Sequence, residues 1–336
     1  MPQARDLRVA VLGVGMMGAY HASSLTTRTK GARISVVNDF SADRAQEVAR
    51  GIPGARVVAD PFEAIGADDV DAVVIATPGP AHEKQLLACL ERELPVLCEK
   101  PLTVEPSTAY GIVTRQAATG KELIQVGFMR RFDQEYVQLR ELIASGGLGS
   151  PLMVHCTHRN PTVPDTATTE SVINDSAVHE ADVARFLLGE EITAVSVVHG
   201  RSARRAPKAL ADPLLLVFET ESGCVVTDEL FVSSGIAYEV RTEVVGDRGI
   251  AMIGLDQNMV TRTQDGRWGG QSTPSFVERF GAAYNVELQC WVDAAAKGSI
   301  DGPGAWDGYA AAAVCAAGVS AFRTGSRVEV AMEPRP

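Results

Sequence analysis

The chain has no excess of positive charge: 31 lysines and arginines stand against 42 aspartates and glutamates, a formal net charge of −11. Such a surface is not attracted to nucleic acid or to an anionic membrane, so neither is expected as the main partner. The nearest approaches to a basic patch, Arg130-Arg131 and Arg201 to Arg205, are too short to reverse that balance. The six cysteines include no C-x-x-C pair and no tight spacing. Cys98 in the run VLC and Cys315 in AAVCAAG sit among apolar neighbours. Reduced, buried thiols are therefore expected rather than disulfides or metal ligands. No window holds about 18 uninterrupted apolar residues, so a spanning helix is not expected. The opening MPQARDLRVAVLGVG runs straight into a strand pattern with no leader-like segment, and the expected location is the cytoplasm.

What is present is enough apolar sequence for two cores. Apolar residues make up 46% and charged residues 22% of 336, a globular composition long enough to divide into two domains. Over residues 1–125, short β-rich runs (RVAVLG, RISVVND, RVVAD, DAVVIATP, PVLCEK, LIQVGF) alternate with helical stretches. Strands that are apolar on both faces suit a parallel sheet with helices on each side, so this part is expected to be an α/β, doubly wound Rossmann domain. Over 126–336, after one further helix, strand follows strand: PLMVHCTH, ITAVSVVHG, LLLVFET, CVVTDELFV, YEVRTEVVG and the run Ile250 to Ile253. One helix interrupts them near 177–188, and two close the chain. That order predicts an α+β domain with a mostly antiparallel open sheet.

Residues 13–18 read Gly13-Val14-Gly15-Met16-Met17-Gly18 directly after the first strand. Gly13 permits a tight turn, Gly15 admits a pyrophosphate, and Gly18 lets the next helix pack closely. The helix start offers free N–H groups to the phosphates. The second strand ends at Asp39, about 20 residues on, where a carboxylate accepts hydrogen bonds from ribose hydroxyls and repels a 2′-phosphate. Phe40 and Ser41 follow it with no arginine beside it, which favours NAD over NADP. Thr77 and Pro78, in ATPGPAH after the fourth strand, could line the cofactor. His82 there could bind the cofactor or simply begin a helix.

Glu99 and Lys100 close the fifth strand, again at the carboxyl edge, where Pro101 halts it. Lys100 there either points into the cofactor crevice or is an ordinary surface lysine. In NDSAVHEADVARFLLGE, Asp175, His179 and Asp182 fall at i, i+4 and i+7 and so share one helix face. A carboxylate beside a histidine can orient the ring and raise its basicity, as a general base for a hydroxyl proton requires. The alternative is a structural histidine with Asp175 as a cap. His158 and Asn160 alternate onto one side of a strand, away from His155. A metal site could be drawn from His155, His158, His179 and the aspartates, but no local ligand spacing supports it, and polyol hydrogen bonding accounts for the same residues.

Taken together, GVGMMG, Asp39, EKPL (99–102), GFMRRFD (127–133) and NDSAVHEADVARFL resemble the glucose–fructose oxidoreductase and inositol dehydrogenase family over nearly the whole chain. HRNPTVP (158–164), YEVRTEVVG (238–246) and RFGAAYNVELQCWVDA (279–294) look most like its inositol-oxidising members. The resemblance implies NAD-dependent oxidation of a ring hydroxyl of a cyclic polyol, as in myo-inositol to 2-keto-inositol. Lys100, Asp175 and His179 would form the catalytic group; Arg130, His158, Asn160, Asp182 and Tyr238, with Tyr284 a weaker candidate, would meet the polyol. Gly13, Gly15, Met16, Met17, Gly18, Asp39, Thr77, Pro78, His82, Glu99 and Lys100 would hold the NAD. No metal is expected, and a homotetramer built through the open sheet is implied. The alternatives are oxidation of scyllo-inositol, reduction of a ketosugar, a non-catalytic NAD-binding sensor and a metal-dependent hydrolase.

Overall fold

The computed structural model describes residues 5–255, 261–264, 266–268 and 273–336. They form two compact units: Met1–Met129 with Ala283–Ala312 and Glu333–Pro336, and Arg130–Ala282 with Ala313–Met332.

In the first unit, strands β1 (Leu7–Leu12), β2 (Ala32–Asn38), β3 (Arg56–Val57), β4 (Ala72–Ile75), β5 (Val96–Cys98) and β6 (Ile124–Val126) alternate with helices α1 (Met16–Thr27), α2 (Ala42–Arg50), α3 (Pro61–Gly66), α4 (His82–Glu91) and α5 (Pro106–Ala117). The strands pair in parallel in the order β3-β2-β1-β4-β5-β6. Val9, Ala10, Val11 and Leu12 are wholly buried, as are Val73, Val74 and Ile75. Only a sheet covered on both faces buries consecutive residues in this way. The order reverses between β1 and β4, so the carboxyl ends of these two strands open the crevice in which such sheets take ligands.

In the second unit, α6 (Gln134–Ala144), β7 (Pro151–Arg159), α7 (Thr169–Val172), α8 (Val178–Leu188), β8 (Ile192–His199), β9 (Leu214–Thr220), β10 (Val225–Phe231), β11 (Glu239–Gly246) and β12 (Ile250–Ile253) lead to a short hairpin, β13 (Thr261–Thr263) and β14 (Gly266–Trp268). Helices α9 (Phe276–Ala295) and α10 (Ala305–Thr324) and strand β15 (Val328–Glu329) follow. The large sheet has the order β12-β11-β7-β10-β9-β8-β15, and every neighbouring pair is antiparallel except β7 with β10. Val154, Cys156 and His158 of β7 lie on the inner face beside Val226, Asp228 and Leu230 of β10. The outer face carries the half-buried His155 and Arg159, with Met153, Leu215 and Met252 exposed.

A single division after residue 125 would place the whole of α9 with the second unit. Instead Leu288, Trp291, Val292 and Ala295 join Leu7, Val9, Leu25 and Val37 in the first unit's core. Cys89, Cys98, Cys156, Cys224 and Cys315 are buried free thiols, as their apolar neighbours imply, and Cys290 is half-buried. Among the described residues no helix is long and apolar enough to cross a membrane.

Because Trp291 is fully buried in that core, Trp291→Ala should cost about 3–5 kcal/mol of unfolding free energy. Chemical denaturation measures this; a loss below about 1 kcal/mol would contradict the packing described.

Candidate active site

At the end of β1, Gly13 takes φ +80°, and a Cβ there would lie 2.7 Å from the Ala76 carbonyl oxygen. A Cβ on Gly18 would stand 1.8 Å from the Gly13 carbonyl oxygen, so α1 can approach the turn only because position 18 has no side chain. At Gly15 a Cβ would meet nothing within 4 Å, which leaves open space over the turn. Gly15 caps α1 without a side-chain bond, and the first turn holds no acidic residue. Those N–H groups and the helix dipole suit a pyrophosphate. Asp39 is buried and braces the turn: Oδ2 accepts from the Val14 N–H at 2.8 Å and Oδ1 from the Ser41 N–H at 2.8 Å. Each oxygen keeps acceptor capacity for ribose hydroxyls. The residues present thus fit a dinucleotide. Adjacency in sequence misleads at one point, because an arginine does stand beside Asp39 in space. One turn into α2, Arg44 Nη1 lies 3.8 Å from Asp39 Oδ1, and its guanidinium lies 5.7 Å from the centre of the Phe40 ring.

The flanking residues brace one another. Thr77 Oγ1 donates to Gln85 Oε1 at 2.7 Å. His82 begins α4, and both its ring nitrogens face backbone carbonyls, Nδ1 at 2.9 Å from Pro101 and Nε2 at 2.7 Å from Thr77. Glu99 is buried, with Oε1 2.6 Å from His21 Nε2 on α1. That contact ties the end of β5 to the phosphate-facing helix. Lys100 follows, half-buried. Tyr284 packs edge-on against Tyr20 and His21, with ring centres 5.5 and 6.1 Å away.

In the second unit every residue of α8 from Val178 to Leu187 is buried, including His179, Glu180 and Asp182. Acids in such a helix need cations, and the pair read as a short basic run supplies them. Arg131 grips Asp182, with Nε 3.1 and 3.0 Å from the two carboxylate oxygens and Nη2 2.6 Å from Oδ1. Arg130 is 2% exposed, and its Nη1 donates to Glu180 Oε1. The other oxygen of Glu180 lies 3.1 Å from His158 Nδ1. Burial pushes the Glu180 carboxyl up, but Arg130 and His158 outweigh it and hold it down to about 2. The His158 ring stands edge-on to His179 and Tyr238, with centres 6.2 and 6.0 Å away. Asn160, just past β7, offers a buried Oδ1 that has no partner among the described residues.

The stripe Asp175–His179–Asp182 read from spacing runs through two helical forms. Ile173–Ala177 forms a π turn, wider than an α turn. Asp175 lies in it, exposed; His179 sits in the first turn of α8; Asp182 is enclosed against Arg131. Arg130, His158, His179 and Tyr238 stand as one group, while Asp182 faces a different arginine. His155 points to the other side of β7, 2.8 Å from Thr227 Oγ1. Among the described residues no three His, Cys, Asp or Glu side chains are grouped to hold a metal. Sequence reasoning missed Glu180, although an acid inside an apolar helix two residues from another acid was a signal that two cations were needed. It also missed Asp228, buried on β10, whose carboxyl is pushed far above the usual carboxylate range by burial and by Glu180.

A glycine turn shaped to take a pyrophosphate beside a buried acid, and a separate histidine-rich wall, are the features of a nicotinamide-dependent oxidoreductase. The chain belongs to such a family: residues 7–128 match its NAD-binding Rossmann-fold model and residues 140–330 its C-terminal α/β-domain model. This is the glucose–fructose oxidoreductase and inositol dehydrogenase family that the motifs resemble. An inositol 2-dehydrogenase of Rhodococcus erythropolis is 58% identical over 100% of this chain and 98% of that protein. One from Mycolicibacterium smegmatis is 54% identical over 98% of each. Among solved structures, myo-inositol dehydrogenase of Lactobacillus casei with NAD(H) and myo-inositol superposes with a TM-score of 0.94 at 32% identity, covering 98% of both chains.

Replacing Asp39 by alanine removes the ribose acceptor and leaves Arg44 to meet a 2′-phosphate. NADH affinity should fall about tenfold or more, and NADPH affinity should rise. Fluorescence titration with both cofactors measures this; an unchanged NADH-to-NADPH ratio would remove Asp39 from cofactor choice.

Proposed function

We propose that this chain oxidises a ring hydroxyl of a cyclic polyol, converting myo-inositol to 2-keto-inositol, with NAD as the acceptor. The observation that carries this reading is the buried, acceptor-rich wall of the second unit. His179, His158 and Asn160 Oδ1 offer acceptors there, next to charges already neutralised in pairs. A polyol presents hydroxyl donors, which acceptors of this kind can bind. The relatives named inositol 2-dehydrogenase, and the inositol-bound structure, support the same substrate class.

Bound NAD supplies the hydride acceptor at its nicotinamide. His179 removes the hydroxyl proton as the carbon gives up hydride, which is why a base must sit in a dry, apolar helix face. Asp175 stabilises the imidazolium that forms. Lys100 stabilises the developing alkoxide and helps hold the substrate. His158, Asn160 and Tyr238 meet the remaining hydroxyls, and Asp182 fixes Arg131. We further propose a cytoplasmic homotetramer. The outer sheet face supports the oligomer, since Met153, Leu215 and Met252 lie exposed on it around the Arg159–Glu229 and Arg159–Glu239 ion pairs.

Absorbance of reduced nicotinamide across a panel of inositols and sugars tests the reading. The highest kcat/KM should belong to myo-inositol with NAD. His179→Ala should lose about 10²–10⁴-fold in kcat while binding NADH normally. Failure to reduce NAD with any cyclic polyol would refute the substrate class.

A further inference from the structure

The contact between Glu180 and His158 decides more than packing. Glu180 does not face open space: its side chain is 1% exposed, with one oxygen on the Arg130 guanidinium and the other 3.1 Å from His158 Nδ1. An ionised carboxylate can only accept, so the nitrogen facing it must carry a proton. Arg130 Nη2 also approaches Nδ1, but at 3.4 Å, beyond the 3.1 Å of the carboxylate contact. An arginine N–H cannot accept either, so the nearer, charged acceptor sets the tautomer. The edge-on rings of His179 and Tyr238 hold the plane of the imidazole. Nε2, on the opposite side of the ring, has no partner among the described residues.

We propose that Glu180, itself fixed by Arg130, is a positioning residue that locks His158 with its proton on Nδ1 and makes Nε2 an acceptor for one substrate hydroxyl. The inference rests on the polyol reading above and adds to it the basis of hydroxyl selection. An acceptor at His158 and a base at His179 cannot take the same proton. The hydroxyl read by His158 is thus a different one from that oxidised and remains a hydroxyl in the product. Arg130, expected from the resemblance to touch the polyol, then acts through Glu180. A site built this way rejects an analogue lacking the hydroxyl, because a buried acceptor is left unpaired.

Glu180→Gln keeps the shape and reverses the instruction. The amide carbonyl can still accept from Arg130 while its NH₂ donates to Nδ1, which sends the ring proton to Nε2. With the wild type, one member of a series of mono-deoxy myo-inositols should show kcat/KM lowered about 10- to 100-fold relative to myo-inositol, mainly through KM. In Glu180→Gln the hydroxyl can meet the ring only by turning a lone pair to Nε2–H, so the penalty should shrink at least severalfold, through a loss on myo-inositol itself. NADH binding, carried by the first unit, should be unchanged. The same deoxy penalty in both proteins would overturn the proposal. If Glu180→Gln fails to fold, Arg130→Met/Glu180→Met removes both buried charges together and leaves no acceptor at position 180 to hold the Nδ1 proton, so the penalty should shrink there; an undiminished penalty would equally overturn the proposal. If the wild type oxidises no cyclic polyol, the substrate reading fails by itself. The tautomer is then read from ¹⁵N shifts of the histidine ring in the NADH-bound protein. The protonated nitrogen of His158 should move from Nδ1 to Nε2 on Glu180→Gln, and an unmoved proton would overturn the proposal.

Discussion

The histidine-rich wall of the second unit depends on two buried ion pairs between adjacent arginines and one helix: Arg130 with Glu180, and Arg131 with Asp182. Burying four charges is costly unless each is paired and hydrogen-bonded. Here the pairs are bonded at short range, and Glu180 uses its second oxygen on His158. Replacing such pairs by apolar side chains is often neutral for stability, so their worth is better sought in geometry than in free energy. They fix the angle of α8 against the turn Met129–Phe132, and α8 carries His179. The acids and the proposed base are neighbours in sequence, so clamping the acids positions the base.

The glycine turn of the first unit follows a different logic. The turn is shaped largely by the side chains that its glycines lack. Gly13 and Gly18 approach backbone atoms at distances no side chain permits, and Gly15 leaves its space open. Asp39 accepts from the Val14 and Ser41 N–H groups and keeps lone pairs free to accept from a ribose. His21 and Glu99 carry that order across to β5, whose end bears Lys100.

Much of this was legible in the sequence. Strands apolar on both faces gave the parallel sheet, strand-after-strand order gave the mostly antiparallel one, and the glycine spacing located the turn. What was hidden has common physical causes. Helical spacing places Asp182 on a face but does not name its partner, Arg131, 51 positions away. Adjacency to Asp39 excluded an arginine, yet one helical turn brings Arg44 within 3.8 Å. The π turn at Ile173–Ala177, which carries Asp175, has no signature that periodicity detects. The apolar stripe of α9 identifies a helix but not which of two cores receives Trp291.

The central claim is hydride transfer from a ring carbon of a cyclic polyol to nicotinamide. Its most direct test is a reaction with NAD and myo-inositol deuterated at the carbon bearing the 2-hydroxyl. The account predicts reduced nicotinamide carrying one deuterium, a keto product that has lost it, and a slowed single turnover relative to unlabelled inositol. Reduced nicotinamide without deuterium, or none at all, would contradict it.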